Sequence, residues 1–275
     1  MKRPKYSPLA LKLFGKRTSS KPVNRLEELL LAAANDVSMR PQFYRELLNF
    51  DLYVLGEAVG PSRDLGGGRR ESLGQELQAR GYNVGGRMLI ALFSSEERIR
   101  EALDSKAFDQ AKYVRMNART LFESLPQGTP FALNPRSSFG KEFEPEEVKA
   151  ILDGSIFQKP KTGSIPPGEQ YYLRKPPVPP EKLIAALSAY FRRSDVVKEA
   201  YLAEIYVPSS GDQPHLILGV GLRAGTSRRF EEILPEVGVI LENVMGRKEP
   251  VDIIEMGTGQ LQVFMREQTE PFFVR

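Results

Sequence analysis

His215 is the only histidine in a chain of 275 residues, and cysteine is absent. Thiolate nucleophiles, thiolate–zinc centres and disulfides all need cysteine. The common metal sites with two or three histidines need more imidazoles than the chain has. A hydroxyl–histidine–carboxylate mechanism would have to be built on His215 alone. Asp212 stands three residues before it, but both fall at a turn beside Pro214. A general base also needs a positioned nucleophile and an orienting group, so His215 reads as a surface turn residue. No catalytic residue, metal ligand set or cofactor site is predicted.

The stretch from Asn134 to Lys141 invites comparison with a phosphate-binding loop. That motif needs glycine at both ends of a four-residue span, followed by Lys and a hydroxyl residue. Gly140-Lys141 is present, but Pro135 occupies the first glycine position and Glu142 the hydroxyl position. Proline lacks an N–H and a carboxylate repels phosphate, so nucleotide hydrolysis is excluded here. Two readings of the loop remain. In one it is a rigid turn, with Pro135 stopping a strand, Ser137 and Ser138 bonding locally, and Gly140 taking a positive φ. In the other it contacts a partner. Phe139 and Phe143 then present apolar surface beside Arg136 and Lys141, a mixture enriched at interface hot spots. The candidate contact residues are Asn134, Arg136, Ser137, Ser138, Phe139, Gly140, Lys141 and Phe143.

Other constellations yield to simpler explanations. Gly66-Gly67-Gly68-Arg69-Arg70 reads as the tip of a mobile insertion over Gly60–Gly81. Gly219, Gly221 and Gly225 have the wrong final spacing for a dinucleotide site. The carboxylate pairs Glu27-Glu28, Glu96-Glu97, Glu146-Glu147 and Glu231-Glu232 all open predicted helices, where the macrodipole accounts for them.

The net charge is +4, with 39 basic and 35 acidic residues. Seven of the basic residues lie within 1–21, which holds no acid; setting them aside leaves 32 against 35, a net charge of −3. The basicity belongs to an arm, read as disordered because Pro4, Pro8 and Gly15 interrupt it. The body lacks a ribonucleoprotein-type aromatic motif and a basic surface, so no specific nucleic-acid partner is predicted. No apolar run approaches the roughly 20 residues that cross a bilayer, and no signal-peptide pattern opens the chain. A soluble, cytoplasmic protein is expected.

The elements that must position these residues follow from periodicity and capping. Asn24 and Glu27 form a capping-box pattern ahead of Leu26, Leu29, Leu30 and Ala33, one apolar stripe. Ser38 is expected to cap a second helix that carries Pro41, Phe43, Tyr44, Leu47 and Leu48. Strands are predicted at 52–56, 88–93, 113–116 and 131–133, and helices from Ser94 or Ser95 through Asp104 and at Glu146–Leu152. From Lys159 to Pro180 seven prolines interrupt the pattern, a composition that favours extended linkers. Beyond it come a helix at 181–192, strands at 200–207 and 216–222, a helix at 230–245, and strands at 251–256 and 261–265. The fold class is α+β. Two small domains, each a mixed or antiparallel sheet with packed helices, occupy 22–158 and 181–275, with the arm at 1–21 and the linker at 159–180. In the second domain an antiparallel sheet is the simplest layout.

Several segments resemble the enhanced-serine-sensitivity (SseB) family. They are 24–33 (NRLEELLLAA), 41–48 (PQFYRELL), 133–143 (LNPRSSFGKEF) and the ending Thr269-Glu270-Pro271-Phe272-Phe273. The resemblance implies a bacterial cytoplasmic protein with an N-terminal and a C-terminal SseB domain, linked by name to sensitivity to serine. It carries no established catalytic set. The expectation is a non-catalytic binding or regulatory protein whose partner is another protein. The alternative is an enzyme or sensor acting on a small metabolite, such as an amino acid, through carboxylate or lysine side chains.

Overall fold

Asn24 caps the first helix as its sequence requires, its side chain accepting the Glu27 N–H at 3.1 Å. Helix α1 (Arg25–Asn35) then buries Leu26, Leu29, Leu30 and Ala33. Glu27 lies on the same buried face. Its carboxylate accepts the N–H of Val23 at 3.0 Å, one residue before the position a capping box would use. The cap expected of Ser38 belongs to Asp36, which accepts the Ser38 N–H at 2.9 Å and opens a short 3-10 turn. Helix α2 (Arg40–Asn49) follows, with Pro41 in the first turn, where its missing N–H removes no helical bond.

A computed structural model describes residues 21–58, 62–66, 69–72, 77–84, 87–103, 105–125, 128–135, 137–158, 169–210, 213–226, 229–246 and 251–275. The chain divides into two units at Ile156/Phe157. In the first, β1 (Asp51–Ala58) precedes β2 (Ser62–Gly66), β3 (Arg69–Ser72), β4 (Leu77–Ala79), β5 (Gly81–Val84) and β6 (Arg87–Phe93). Apart from Arg80, the described part of the insertion expected to be mobile is therefore strand. β2 and β3 form an antiparallel pair, β4 pairs with β1 and β5 with β6. Gly56 makes part of this possible, because a β-carbon there would sit 2.1 Å from the carbonyl oxygen of Gln78 on β4.

The unit continues through α3 (Glu96–Ala102), α4 (Ser105–Asp109), β7 (Tyr113–Asn117), α5 (Ala118–Ser124), β8 (Phe131–Leu133), β9 (Lys141–Phe143) and α6 (Pro145–Leu152). Ser95 caps α3. The sheet runs β2-β3-β7-β1-β6-β8-β9. β1 is antiparallel to β6 and β7, whereas β8 is parallel to β6. Central strands β1 and β6 bury Leu52, Val54, Leu55, Leu92 and Phe93, the near-continuous apolar pattern of strands covered on both faces.

The second unit contains β10 (Tyr172–Arg174), α7 (Glu181–Arg193), β11 (Val197–Tyr206), β12 (His215–Leu222), α8 (Phe230–Met245), β13 (Val251–Glu255), α9 (Gln260–Gln268) and β14 (Phe273–Val274). Its sheet runs β10-β11-β12-β13, with β14 also paired to β11. Two expectations change. First, β13 runs parallel to β12, so α8 is a crossover and the sheet is mixed. Second, 261–265 is helical: Leu261 and Met265, four apart, both pack on the cluster of Tyr201, Ile254 and Met256. Residues 172–174, inside the proline-rich stretch, pair with Glu204–Tyr206 on β11. Among the described residues no helix is long and apolar enough to cross a membrane.

Candidate functional site

The loop from Asn134 to Gly140 connects β8 to β9, whose register sets Phe131 opposite Phe143 and Leu133 opposite Lys141. Asn134 turns the chain with φ 46, the only positive φ at a residue other than glycine among those described. Asparagine tolerates this region because its short amide bonds locally. Its N–H donates to the Leu92 carbonyl at 2.7 Å, and its own carbonyl accepts the Ser137 N–H at 3.0 Å. Gly140 is required for a different reason from the positive φ expected of it. A β-carbon there would lie 2.7 Å from the carbonyl oxygen of Asn134.

Asn134 is fully buried, and its side chain joins three elements. Its Oδ1 accepts the Ser94 N–H at 2.9 Å, while Nδ2 donates to Ser94 Oγ at 3.0 Å, the Phe139 carbonyl at 3.1 Å and Glu27 Oε1 at 3.2 Å. Ser94 Oγ also donates to Glu27 Oε1. Glu27 faces Arg98 of α3, whose Nε and Nη2 donate to its two oxygens at 2.8 and 2.6 Å. Arg98 Nη1 donates to Glu101 at 2.7 Å and Nη2 to the Lys21 carbonyl at 3.0 Å. Burial alone would lower the Arg98 pKa, but the bonds from Glu27 and Glu101 outweigh it and hold the guanidinium above its ordinary value. The Phe139 ring lies 5.0 Å from that guanidinium.

A second buried pair ties the other end of the hairpin. Lys141 Nζ donates to Glu147 Oε2 of α6 at 2.9 Å and to the Glu142 carbonyl at 3.1 Å, and lies 4.4 Å from the Phe143 ring centre. Tyr44 of α2 donates to the other Glu147 oxygen at 2.9 Å. Burial pushes the Lys141 amine below its ordinary pKa, although Glu147 opposes the shift. Arg40 is lowered by the same cause, against the pull of Tyr44 and Glu147.

The predicted residues thus come together, facing largely inward. Asn134, Ser137, Phe139, Lys141 and Phe143 are buried, Phe139 to 3% exposure and Lys141 to 4%. Ser138 is half-buried, and its hydroxyl has no hydrogen-bond partner among the described residues. Arg136 lies outside them.

The N-terminal domain model of SseB protein matches residues 26–150, and the C-terminal domain model matches residues 165–275. The chain belongs to the SseB family. It is 29% identical over 258 residues to Protein SseB of Escherichia coli (strain K12) and to that of Shigella flexneri, covering 93% of this chain and 94% of each relative. No solved structure matches it.

The SseB C-terminal domain holds His215. Its Nε2 lies 3.1 Å from Asp252 Oδ2 and its Nδ1 lies 3.2 Å from the Gln213 carbonyl. The carboxylate it meets therefore comes from the parallel neighbour β13; Asp212 lies outside the described residues. Among the described residues no group of three or more His, Asp or Glu is placed to hold a metal ion.

In the SseB N-terminal domain the residues missed by the sequence reading are Glu27, Ser94, Arg98, Glu147, Tyr44 and Arg40. The macrodipole sufficed to explain Glu27 and Glu147 as residues of a first helical turn, yet both point into the core. One signal was available. Glu27 precedes Leu30 by three and Glu147 precedes Ile151 by four, so each shares the face of a core residue.

Proposed function

We propose that this SseB-family protein is a non-catalytic cytoplasmic binding or regulatory protein that acts through contact with another protein. The observation that supports this is how the charged groups around the β8–β9 hairpin are engaged. Glu27 with Arg98, and Lys141 with Glu147, are buried ion pairs inside the domain. A catalytic acid or base must reach a proton on its substrate, whereas these groups are held by one another and by the backbone. Their arrangement gives rigidity.

The hairpin connection is the proposed contact element. Asn134, Ser137, Phe139, Gly140, Lys141 and Phe143 hold its shape from within, and Arg136 and Ser138 complete it. A turn fixed before binding loses less conformational freedom on association. The family's link to serine sensitivity enters through such a partner in this reading.

The test has two arms. Proteins retained by the immobilised chain from a bacterial lysate are identified, purified and titrated against the chain by calorimetry, and a metabolite panel is screened by thermal shift. Saturable binding of one purified protein, weakened by substitution at Ser138, supports the proposal. A large shift with an amino acid or nucleotide, with no protein binding, overturns it in favour of a metabolite enzyme or sensor.

A further inference from the structure

Two segments far apart in the chain end on one carboxylate. The Val23 N–H, just beyond the basic stretch that runs to Lys21, donates to Glu27 Oε2 at 3.0 Å. The Asn134 amide, at the root of the hairpin connection, donates to Glu27 Oε1 at 3.2 Å. Ser94 Oγ and Arg98 Nε share Oε1, and Arg98 Nη2 shares Oε2. We infer that the buried Glu27–Arg98 pair is a conformational link between Lys21–Val23, at the end of the basic stretch, and Asn134 at the β8 end of the hairpin connection, so that loosening either of these two points loosens the other.

The physical reason lies in the geometry of the fork. A guanidinium bound through two parallel N–H groups fixes the plane of the carboxylate against its own. Both side chains are fully buried, so water is not at hand to replace a lost donor. If the Asn134 amide leaves, the carboxylate can turn about the side-chain axis only by carrying the fork with it. Nη2 is the atom that also holds the Lys21 carbonyl at 3.0 Å. The displacement therefore reaches Lys21 through Arg98 and Val23 through Glu27. Seven basic residues lie within the first 21, and this pair holds the backbone at the last of them, Lys21, and at Val23. The link needs no partner at the hairpin, so it stands or falls independently of the binding proposal.

Hydrogen exchange on the full-length protein, resolved at single amides, tests it. Asn134→Gly is the informative variant because glycine accepts φ 46, so the substitution removes the amide without straining the backbone. Exchange at Val23 should rise about tenfold, the effect of leaving a buried acceptor one donor short, while amides of β11 keep their parental rates. Lys141→Met disturbs the same hairpin through Glu147 and should leave Val23 unchanged. Parental exchange at Val23 in Asn134→Gly, with faster exchange at Ser137 and Phe139, overturns the link. Equal acceleration of Val23 by Lys141→Met overturns it too, since that is general loosening. If Asn134→Gly fails to fold, Ser94→Ala removes a donor from the same oxygen. Joint acceleration of Val23 and Phe139 then supports the link, and acceleration of one alone overturns it.

Discussion

Arg98 and Glu27, 71 residues apart in the chain, meet through two side-chain hydrogen bonds of 2.8 and 2.6 Å with both side chains fully buried. The pair joins α1 to α3, and Asn134 adds the hairpin to the same carboxylate. Removing one partner is costly because the other charge stays buried. Arg98→Ala should therefore destabilise the N-terminal domain by about 3–5 kcal/mol. Exchanging both residues for apolar ones of similar volume should cost much less than the sum of the single changes. Urea denaturation followed by circular dichroism measures all three, and additivity within error would mean that the pair carries no coupling.

Gly140 and Gly154 separate steric from conformational demand. A β-carbon at Gly140 meets three backbone oxygens, Asn134 at 2.7 Å and Leu133 and Ser137 at 3.2 Å each. Gly154, which ends α6, has φ 76 and nothing within 4 Å. Gly154→Ala should cost about 1 kcal/mol for the left-handed backbone alone. Gly140→Ala should cost more, about 1–3 kcal/mol, because backbone oxygens cannot step aside as a side chain can. Chemical denaturation of the two variants side by side ranks them, and the reverse order would contradict the close approach.

Lys141 gives the hairpin a pH signature. Burial lowers the pKa of its amine in the folded state from an ordinary 10.5. Between that lowered value and 10.5 the unfolded chain binds more protons than the folded one, so this group makes stability rise with pH in that window. Tyr201 acts in the opposite sense, since burial and then Glu199 raise its folded pKa and its contribution is lost as pH rises. The test is therefore a difference. The stability of the parent minus that of Lys141→Met should increase from neutral pH into the alkaline range, and a flat difference would show that the buried amine does not titrate there.

The elements became legible in the sequence where local rules act alone. Asn24 caps α1, Ser95 caps α3 and Pro145 opens α6, each through contacts or constraints within a few residues. What stayed hidden depends on partners distant in sequence. Glu27 looks like an ordinary first-turn carboxylate until Arg98 arrives from α3. The apolar residues of 261–265 satisfy both a period of two and a step of four, and only Tyr201, Ile254 and Met256 decide for the helix. The glycines of 60–81 suggested a loop, yet strands β2 to β5 take their order from β1, β6 and β7. The candidate loop was located by its residue types. Its burial was not readable, because Phe139 and Lys141 look alike on paper whether they meet a partner or Arg98 and Glu147.

Arg275 closes the second unit in a way its sequence position conceals. The chain returns along β11 as β14, with the Arg275 N–H donating to the Lys198 carbonyl at 2.9 Å. Its guanidinium Nη2 then donates to the carbonyls of Phe191, Arg192 and Ser194 at 2.7, 2.8 and 2.9 Å. Phe191 and Arg192 belong to the last turn of α7, whose carbonyls have no helical donors of their own. The Ser194 N–H takes care of Tyr190, so Arg275 supplies donors where the helix lacks them. A cation at a helix C-terminus is favoured by the macrodipole as well. Phe273 lies beside this contact, buried and 5.5 Å from the Phe191 ring, and helps fix the backbone from which the arginine reaches. Arg275→Ala should therefore destabilise the second unit by about 1 kcal/mol and speed hydrogen exchange at the last amides of α7. Arg275→Lys keeps the charge but on a shorter side chain whose ammonium does not reach all three carbonyls, so it should recover part of the loss. Parental stability and exchange in Arg275→Ala would show that solvent caps α7 equally well.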